Sequence, residues 1–413
     1  MDLLYILLVL LLVSRLFGEF AQRLGQAPLV GELIAGVGLG VIVHQFSGTL
    51  PVLANIDENP VFDSISDLAI FFLMMLAGME LRPREMAEAG KRATVIAVGG
   101  MLVPLLAGFL IAVAYLPESD VWLAQGMFLA VALAITAVPV AVRVLMDLGQ
   151  LDTPMGRTII SAAVVDDAIS LMLLAILTAV IEQGTLPGGV GLMFILGKIT
   201  LFFAVAVLIG QYVFPMVGRV LTQMHIEESD ISSLLIAALA YALLAEFLGV
   251  HFILGAFLAG LFFGRRTVLD TQYEKVHSRV KGITTGFFAP IFFTGIGLHL
   301  SGAALWQTPV FVVILILAAV LSKLIGAGVA ARLVGMDRRT SFAVGTAMSS
   351  RGAVELIIAD IALQAGLFTM PDPPPPVVAN LFSSVVIMAI GTTILAPLIL
   401  RHLFREPAKP GGG

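Results

Sequence analysis

The chain is a succession of apolar stretches separated by short polar loops. A membrane-spanning helix needs about 20 predominantly apolar residues, and fewer where it is broken or leans on neighbours. On that measure thirteen stretches stand out, at 3–24, 28–43, 61–81, 92–115, 121–146, 154–182, 190–217, 230–248, 251–264, 282–300, 308–332, 340–366 and 376–403. They predict an all-α polytopic membrane protein with about thirteen transmembrane helices. The first stretch has no basic region before it and no small-residue cleavage site after it, so it is a first span and not a signal peptide.

Composition agrees: 59% of residues are hydrophobic and 12% charged, against about 25% charged in soluble domains. Cysteine is absent, which excludes disulfides and thiolate metal sites. The six histidines lack any H-x-x-x-H spacing, which speaks against zinc. The placement of charge matters more than its sum. With the N-terminus outside, Lys and Arg fall only in inner loops, at Arg23, Arg82, Arg84, Lys91 and Arg92, Arg143 and Arg157, Arg219, 265–281, Arg332 to Arg339, and the tail. The outer loops hold Asp57, Glu58, Glu118, Asp120 and Asp372 instead. An odd number of spans, N-terminus out and C-terminus in, satisfies the positive-inside rule throughout.

The segment from Leu24 to Gly36, LGQAPLVGELIAG, resembles that from Leu248 to Gly260, LGVHFILGAFLAG, at an offset of 224 residues. A second echo, Ala77-Gly78-Met79-Glu80-Leu81 with Ile296-Gly297-Leu298-His299-Leu300, follows in the same order. Small-xxx-small patterns recur in many membrane bundles, but two echoes in order point to a true repeat. The displacement is seven spans, an odd number, so the halves have opposite orientation. Inverted repeats of this kind place a site near the bilayer midplane.

Ionisable residues inside the spans are few: Arg15, Glu19, Glu32, Asp67, Asp166, Asp167, Lys198, Glu246, Lys323, Arg351, Glu355 and Asp360. Arg15 and Glu19, and Arg351 and Glu355, are spaced i,i+4 and can pair on one helix face. Glu32, Asp67, Lys198 and Glu246 sit near span ends, where capping or snorkelling accounts for them. Asp166, Asp167 and Lys323 fall near span middles. A charge there costs roughly 3 kcal/mol or more and marks an ion or proton path. Neighbours on a helix point about 100° apart, so one aspartate can face a cavity while the other meets a cation from another helix. A carboxylate held near neutrality carries a proton or a small cation but not both, which is the physical content of exchange. Pro139, in Leu133-Ala134-Ile135-Thr136-Ala137-Val138-Pro139, removes a backbone donor and frees the Ile135 carbonyl. That carbonyl and the Thr136 hydroxyl are oxygen ligands suited to a hard cation. The counterpart break in the second half falls at Met348-Ser349-Ser350-Arg351-Gly352.

With these residues in hand, the chain resembles the monovalent cation:proton antiporter superfamily, in the branch of KefC-like and NapA-like proteins. The resemblance rests on Leu24 to Gly40, Leu76 to Leu81, Thr136 to Leu145, Ala163 to Asp167, Pro290 to Phe293, Lys323 with Gly326, and Arg351 to Leu356, which together cover nearly the whole chain. It implies an NhaA/NapA-like fold of two inverted six-helix repeats with crossed broken helices and elevator-like movement of a core. Its division would be 1–90 and 221–305 for dimerisation, 91–185 and 306–404 for the core, 186–220 for a linking helix and 405–413 for a tail.

The resemblance further implies Asp167 as the cation- and proton-binding residue with Thr136 beside it, so that both would contact Na+. Asp166 would be the carboxylate that pairs with Lys323 until the cation arrives. Pro139, Ser350, Arg351, Gly352 and Glu355 would form the helix crossover. The implied activity is exchange of Na+ or Li+ for H+, electrogenic, in a prokaryotic inner membrane. The implied partners are monovalent cations, protons, membrane lipid and a second copy of the chain, with no cofactor, no nucleic acid and no enzymatic activity. Kef-type potassium proteins usually carry Gln where Asp166 stands, together with a C-terminal nucleotide-binding domain, which favours the sodium-exchanging kind. Two departures stand out: Ala137 follows Thr136 where the family often has Ser, and Ser350 precedes the Arg-Gly pair where many relatives have Pro. A K+/H+ antiporter or K+ efflux protein lacking its regulatory domain is the alternative. A membrane anchor has no reason to bear a mid-membrane Asp pair with a matched Lys, and no Ser/His or Asp/His arrangement suggests an intramembrane enzyme.

Overall fold

The computed structural model describes residues 2–45, 51–54, 56, 60–80, 90–136, 145–146, 150, 153–183, 189–213, 229–263 and 270–404. Among them all regular structure is helical. The helices run α1 Asp2–Arg23, α2 Pro28–Gln45, α3 Pro60–Glu80, α4 Lys91–Tyr115, α5 Trp122–Ala134, α6 Pro154–Gln183, α7 Gly189–Leu208, α8 Ser229–Phe247 and α9 Phe252–Phe262. Next, α10 runs Asp270–Ile283, passes a π-helical turn at Thr284–Phe288 and continues as Ala289–His299. Then α11 runs Pro309–Lys323, passes a π turn at Leu324–Gly328 and ends as Val329–Leu333. The last helices are α12 Arg338–Ala347, α13 Ala353–Gln364 and α14 Leu381–Phe404. Eight of the described helices are long and apolar enough to cross a bilayer, and four more are apolar but shorter.

The stretch anticipated as one span at 121–146 ends its helix at Ala134; Ile135 leaves it in extended conformation and Thr136 is no longer helical. Pro139 and Ala137 lie outside the described residues. The stretch 340–366 is two helices, with 348–352 between them.

Two packing groups share the interior. In one, α1 lies on α2, α2 on the last part of α10, α3 on α9 and α9 on α8. In the other, α4 packs on α5, α6 and the π turn of α11, α11 on α14, and α13 on α14 and α5. Glycine allows the closest approaches. A side chain on Gly36 would overlap the Thr294 carbonyl and one on Gly297 the Leu33 carbonyl. Likewise one on Gly78 would overlap the Phe257 carbonyl and one on Gly260 the Met75 carbonyl. So α2 meets α10 backbone to backbone, and α9 meets α3 in the same way.

The two similar stretches begin with the same turn. Gly25 and Gly249 both have positive φ, 74° and 69°, the left-handed cap that glycine takes without a Cβ penalty. The N–H of Gln26 reaches the Ala21 carbonyl at 2.9 Å, and that of Val250 reaches the Ala245 carbonyl at 2.8 Å. The same 224-residue offset relates each donor and each acceptor.

Candidate functional site

The site is built where the interrupted helices meet α6 and α11. Helix α6 carries Asp166 and Asp167 in its second quarter. Asp166 is fully buried, whereas Asp167 is half-buried. Lys323 is the last residue of the first part of α11 and is fully buried. A lysine without a partner at such a place would be excluded by its desolvation. Its ammonium lies 3.4 Å from Asp166 Oδ2 and donates to Thr136 Oγ1 at 2.6 Å. The Thr136 hydroxyl in turn donates to the Met348 carbonyl at 3.1 Å. So Lys323 joins α6, the end of α5 and, through Thr136, the break after α12. Gly326, three residues on, brings the backbone of α11 against Gly99 of α4; a larger residue would hold the two helices apart. Among the described residues, no hydrogen bond or ion pair engages the carboxylate of Asp167, while the adjacent Asp166 is taken.

Arg351 stands in the break between α12 and α13. It is fully buried, and Gly352 after it is the N-cap of α13. Its guanidinium donates to the carbonyls of Ala132 at 3.1 Å, Leu133 at 2.6 Å and Ile135. The last turn of a helix leaves carbonyls without intrahelical partners, and in a bilayer no water satisfies them. Arg351 satisfies two of those of α5, at Ala132 and Leu133, and that of its C-cap Ile135. The Ile135 carbonyl, anticipated as a free cation ligand, is therefore engaged by a guanidinium. Glu355, one turn into α13 and fully buried, pairs with Arg351 Nε at 3.6 Å. That distance is an ion pair without a hydrogen bond, and among the described residues both carboxylate oxygens of Glu355 lack a hydrogen-bond partner. The carbonyl of Arg351 accepts from Thr393 of α14 at 3.1 Å. Ser350, also buried, turns its hydroxyl back to the Ala347 carbonyl at 2.8 Å.

The remaining intramembrane charges divide differently. Glu19 pairs with Arg23 at 2.8 Å and not with Arg15. Arg15 instead donates to the Thr285 carbonyl at 2.5 Å, in the π turn of α10. Glu32 is buried at 5% exposure, with Gly18 of α1 against its side chain, so the capping or snorkelling anticipated for it does not apply. Asp67 and Glu246 are exposed, and Lys198 lies 5.0 Å from the centre of the Phe194 ring. Asp360 accepts from Gln364 at 2.8 Å. Sequence reasoning missed Gln125, which is fully buried and donates to the carbonyls of Leu367 and Met370, each at 2.8 Å. It also missed the hydroxyls of Ser170 and Ser322, buried beside the aspartate pair and Lys323 in sequence and without partners among the described residues. A polar residue within an apolar run was the available signal for all three.

A helical membrane protein whose interrupted helices meet beside a buried carboxylate–lysine pair has the build of a secondary transporter. The chain belongs to the sodium/hydrogen exchanger family, whose transmembrane model matches residues 7–406. Its relatives are transporters, not enzymes. It is 32% identical over 402 residues, 97% of this chain and 96% of the relative, to the Na(+)/H(+)-K(+) antiporter GerN of Bacillus cereus. It is 26% identical over 407 residues, 98% of this chain and 99% of the relative, to a Na(+)/H(+) antiporter of Enterococcus hirae. Its fold is similar to that of the sodium proton antiporter MjNhaP1 of Methanocaldococcus jannaschii, with a TM-score of 0.69 at 16% identity and 97% of each chain covered.

Proposed function

We infer that this chain exchanges Na+ or Li+ for H+ across a prokaryotic inner membrane, with Asp167 as the seat that the two ions occupy in turn. One observation carries the reading: Asp167 stands half-buried and unengaged beside an Asp166 already held by buried Lys323. A carboxylate so placed binds a proton or a small hard cation, and each displaces the other. A cation arriving at the pair competes with the Lys323 ammonium for Asp166. Release of a proton from Lys323 as well as from Asp167 would make the exchange electrogenic, two protons per sodium. Thr136 could serve the cation as a ligand only once Lys323 withdraws from its hydroxyl.

The same reading takes 1–90 with 221–305 as a static dimerisation domain and 91–185 with 306–404 as a core that moves like an elevator, joined by 186–220. The two packing groups support that division. The matched turns at Gly25 and Gly249, the contact of Gly36 with Gly297, and the close approach of Gly78 to α9 and of Gly260 to α3 support two related halves. Thirteen spans, N-terminus out and C-terminus in, follow from the positive-inside pattern, and the homodimer and the KefC/NapA-like branch follow from the resemblance.

The test is cation-driven proton flux in proteoliposomes at several imposed voltages, with Na+, Li+ and K+ in turn, for wild type, Asp167→Asn and Lys323→Ala. Voltage-dependent flux with Na+ or Li+ that vanishes in Asp167→Asn is the expected result. Flux retained in that variant sinks the reading. Because the name of GerN includes K+, flux with K+ alone would move the assignment to the Kef-type alternative.

A further inference from the structure

The crossing holds a second buried ion pair that the exchange reading does not use. Arg351 faces the carbonyl end of α5, whose partial charge is roughly half an electron, with a full positive charge. The excess is met by Glu355 at 3.6 Å, whose oxygens make no hydrogen bond among the described residues. The charged groups around this guanidinium are Glu355 on its own side, Asp166 from α6 and Lys323 from α11. The carbonyls of Ala132, Leu133 and Ile135 complete its surroundings. Thr136, which follows the capped carbonyls directly, is the residue Lys323 holds. The Arg351 guanidinium thus sits on the carbonyl of Ile135, the residue before Thr136, and its charge acts on the buried Asp166 beside Asp167, where a low dielectric screens little.

We propose that Arg351 and Glu355 are a pair of positioning residues that set how tightly the aspartate site holds its cation. Arg351 keeps the α5 carbonyls out of the cation's ligand set and lowers the site's attraction for positive charge, while Glu355 restores part of it. The proposal rests on the exchange reading for its transport consequences, but not for its effect on binding. Its distinguishing feature is sign. Two residues that merely hold the fold would both lower the rate when changed. Two residues that tune a potential move affinity in opposite directions.

The experiment compares wild type, Arg351→Gln, Arg351→Lys, Glu355→Gln and the double variant Arg351→Gln/Glu355→Gln. Two readouts are taken: Na+ binding to purified protein by calorimetry at alkaline pH, where protons do not compete, and Na+-driven proton flux against pH. A unit charge at this range alters affinity on the order of tenfold. Arg351→Gln is expected to bind Na+ about tenfold more tightly and to move the pH of half-maximal flux about one unit alkaline, since it strengthens proton binding equally. Glu355→Gln is expected to weaken binding and move the midpoint acid. The double variant and Arg351→Lys are expected near wild type. Shifts of the same sign, or lost rate with unchanged affinity and midpoint, overturn the proposal. If the single variants do not fold, a double variant whose affinity differs tenfold from wild type does the same. Absence of flux in wild type alongside opposed binding shifts would remove the exchange reading and leave this one standing.

Discussion

Among the described residues two cations, Lys323 and Arg351, are fully buried, and they are held in different ways. Lys323 is held by side chains: the Asp166 carboxylate and the Thr136 hydroxyl, from two other elements. Arg351 is held mainly by backbone, two carbonyls of α5 and that of its C-cap Ile135, and by a carboxylate one turn along its own segment. Asp166 can take a proton or another cation in place of lysine. A carbonyl at a helix end takes no proton, and three of them hold the one guanidinium together. The first arrangement can therefore be undone and remade during a transport cycle at modest expense, whereas the second fixes two helix ends to each other. The site joins one exchangeable contact to one permanent contact, and the proposed exchange needs both.

Substituting the two cations by a residue of similar length is the sharpest way to break this comparison. Arg351→Met should destabilise by about 3–5 kcal/mol, because it leaves a buried carboxylate unpaired and three carbonyls without donors. Lys323→Met should cost about 2 kcal/mol, because Asp166 can neutralise itself by taking a proton and Thr136 keeps its bond to Met348. Unfolding in mixed micelles measures both; equal losses would mean that the backbone contacts of Arg351 add nothing. Thr136→Val keeps shape and removes the hydroxyl, so Lys323 loses its acceptor and the Met348 carbonyl its donor. The expected loss is about 1–2 kcal/mol. A loss above that of Lys323→Met would place the stitch between the two breaks, and not the ion pair, at the centre of the site.

The sequence made one side of this comparison visible and hid most of the other. Asp166 and Lys323 are conspicuous as lone charges in apolar runs, and the resemblance joins them. The carbonyls that hold Arg351 leave no trace in residue identity, so only its i,i+4 relation to Glu355 could be read. Spans follow the same logic. The anticipated 3–24 and 230–248 lie within a residue of α1 and α8, because their apolar content alone decides them. The anticipated 282–300 begins twelve residues after α10 does. The early turns of that helix carry Lys275, Arg279 and Lys281, which hide it from a hydropathy reading. Val276 and Val280, spaced four apart and buried, are its inward face. The turn at Gly25 was marked by an echo at Gly249 rather than by any local rule. For Glu19 the expected i,i+4 partner was Arg15, although Arg23 stands at the same spacing on its other side. The observed partner is Arg23, in agreement with the better orientation of an acid N-terminal to its base.

That exposed pair isolates the effect of burial on the Arg351–Glu355 geometry. Glu19 and Arg23 share its i,i+4 spacing and are closer, 2.8 Å against 3.6 Å. Distance alone would make the first pair the stronger. But its side chains are 58% and 76% exposed, whereas Arg351 and Glu355 are fully buried. Exposed pairs gain little, since solvent or headgroup water screens the charges and ordering two long side chains costs entropy. Glu19→Gln should therefore change stability by less than about 0.5 kcal/mol, with the change vanishing at high salt. Glu355→Gln, measured beside it in the same micelles, should cost several-fold more, because it leaves the Arg351 charge without its counterion in a medium that cannot solvate it. Similar small effects from both would mean that water reaches Glu355, and its orphaned oxygens would then be hydrated and not buried.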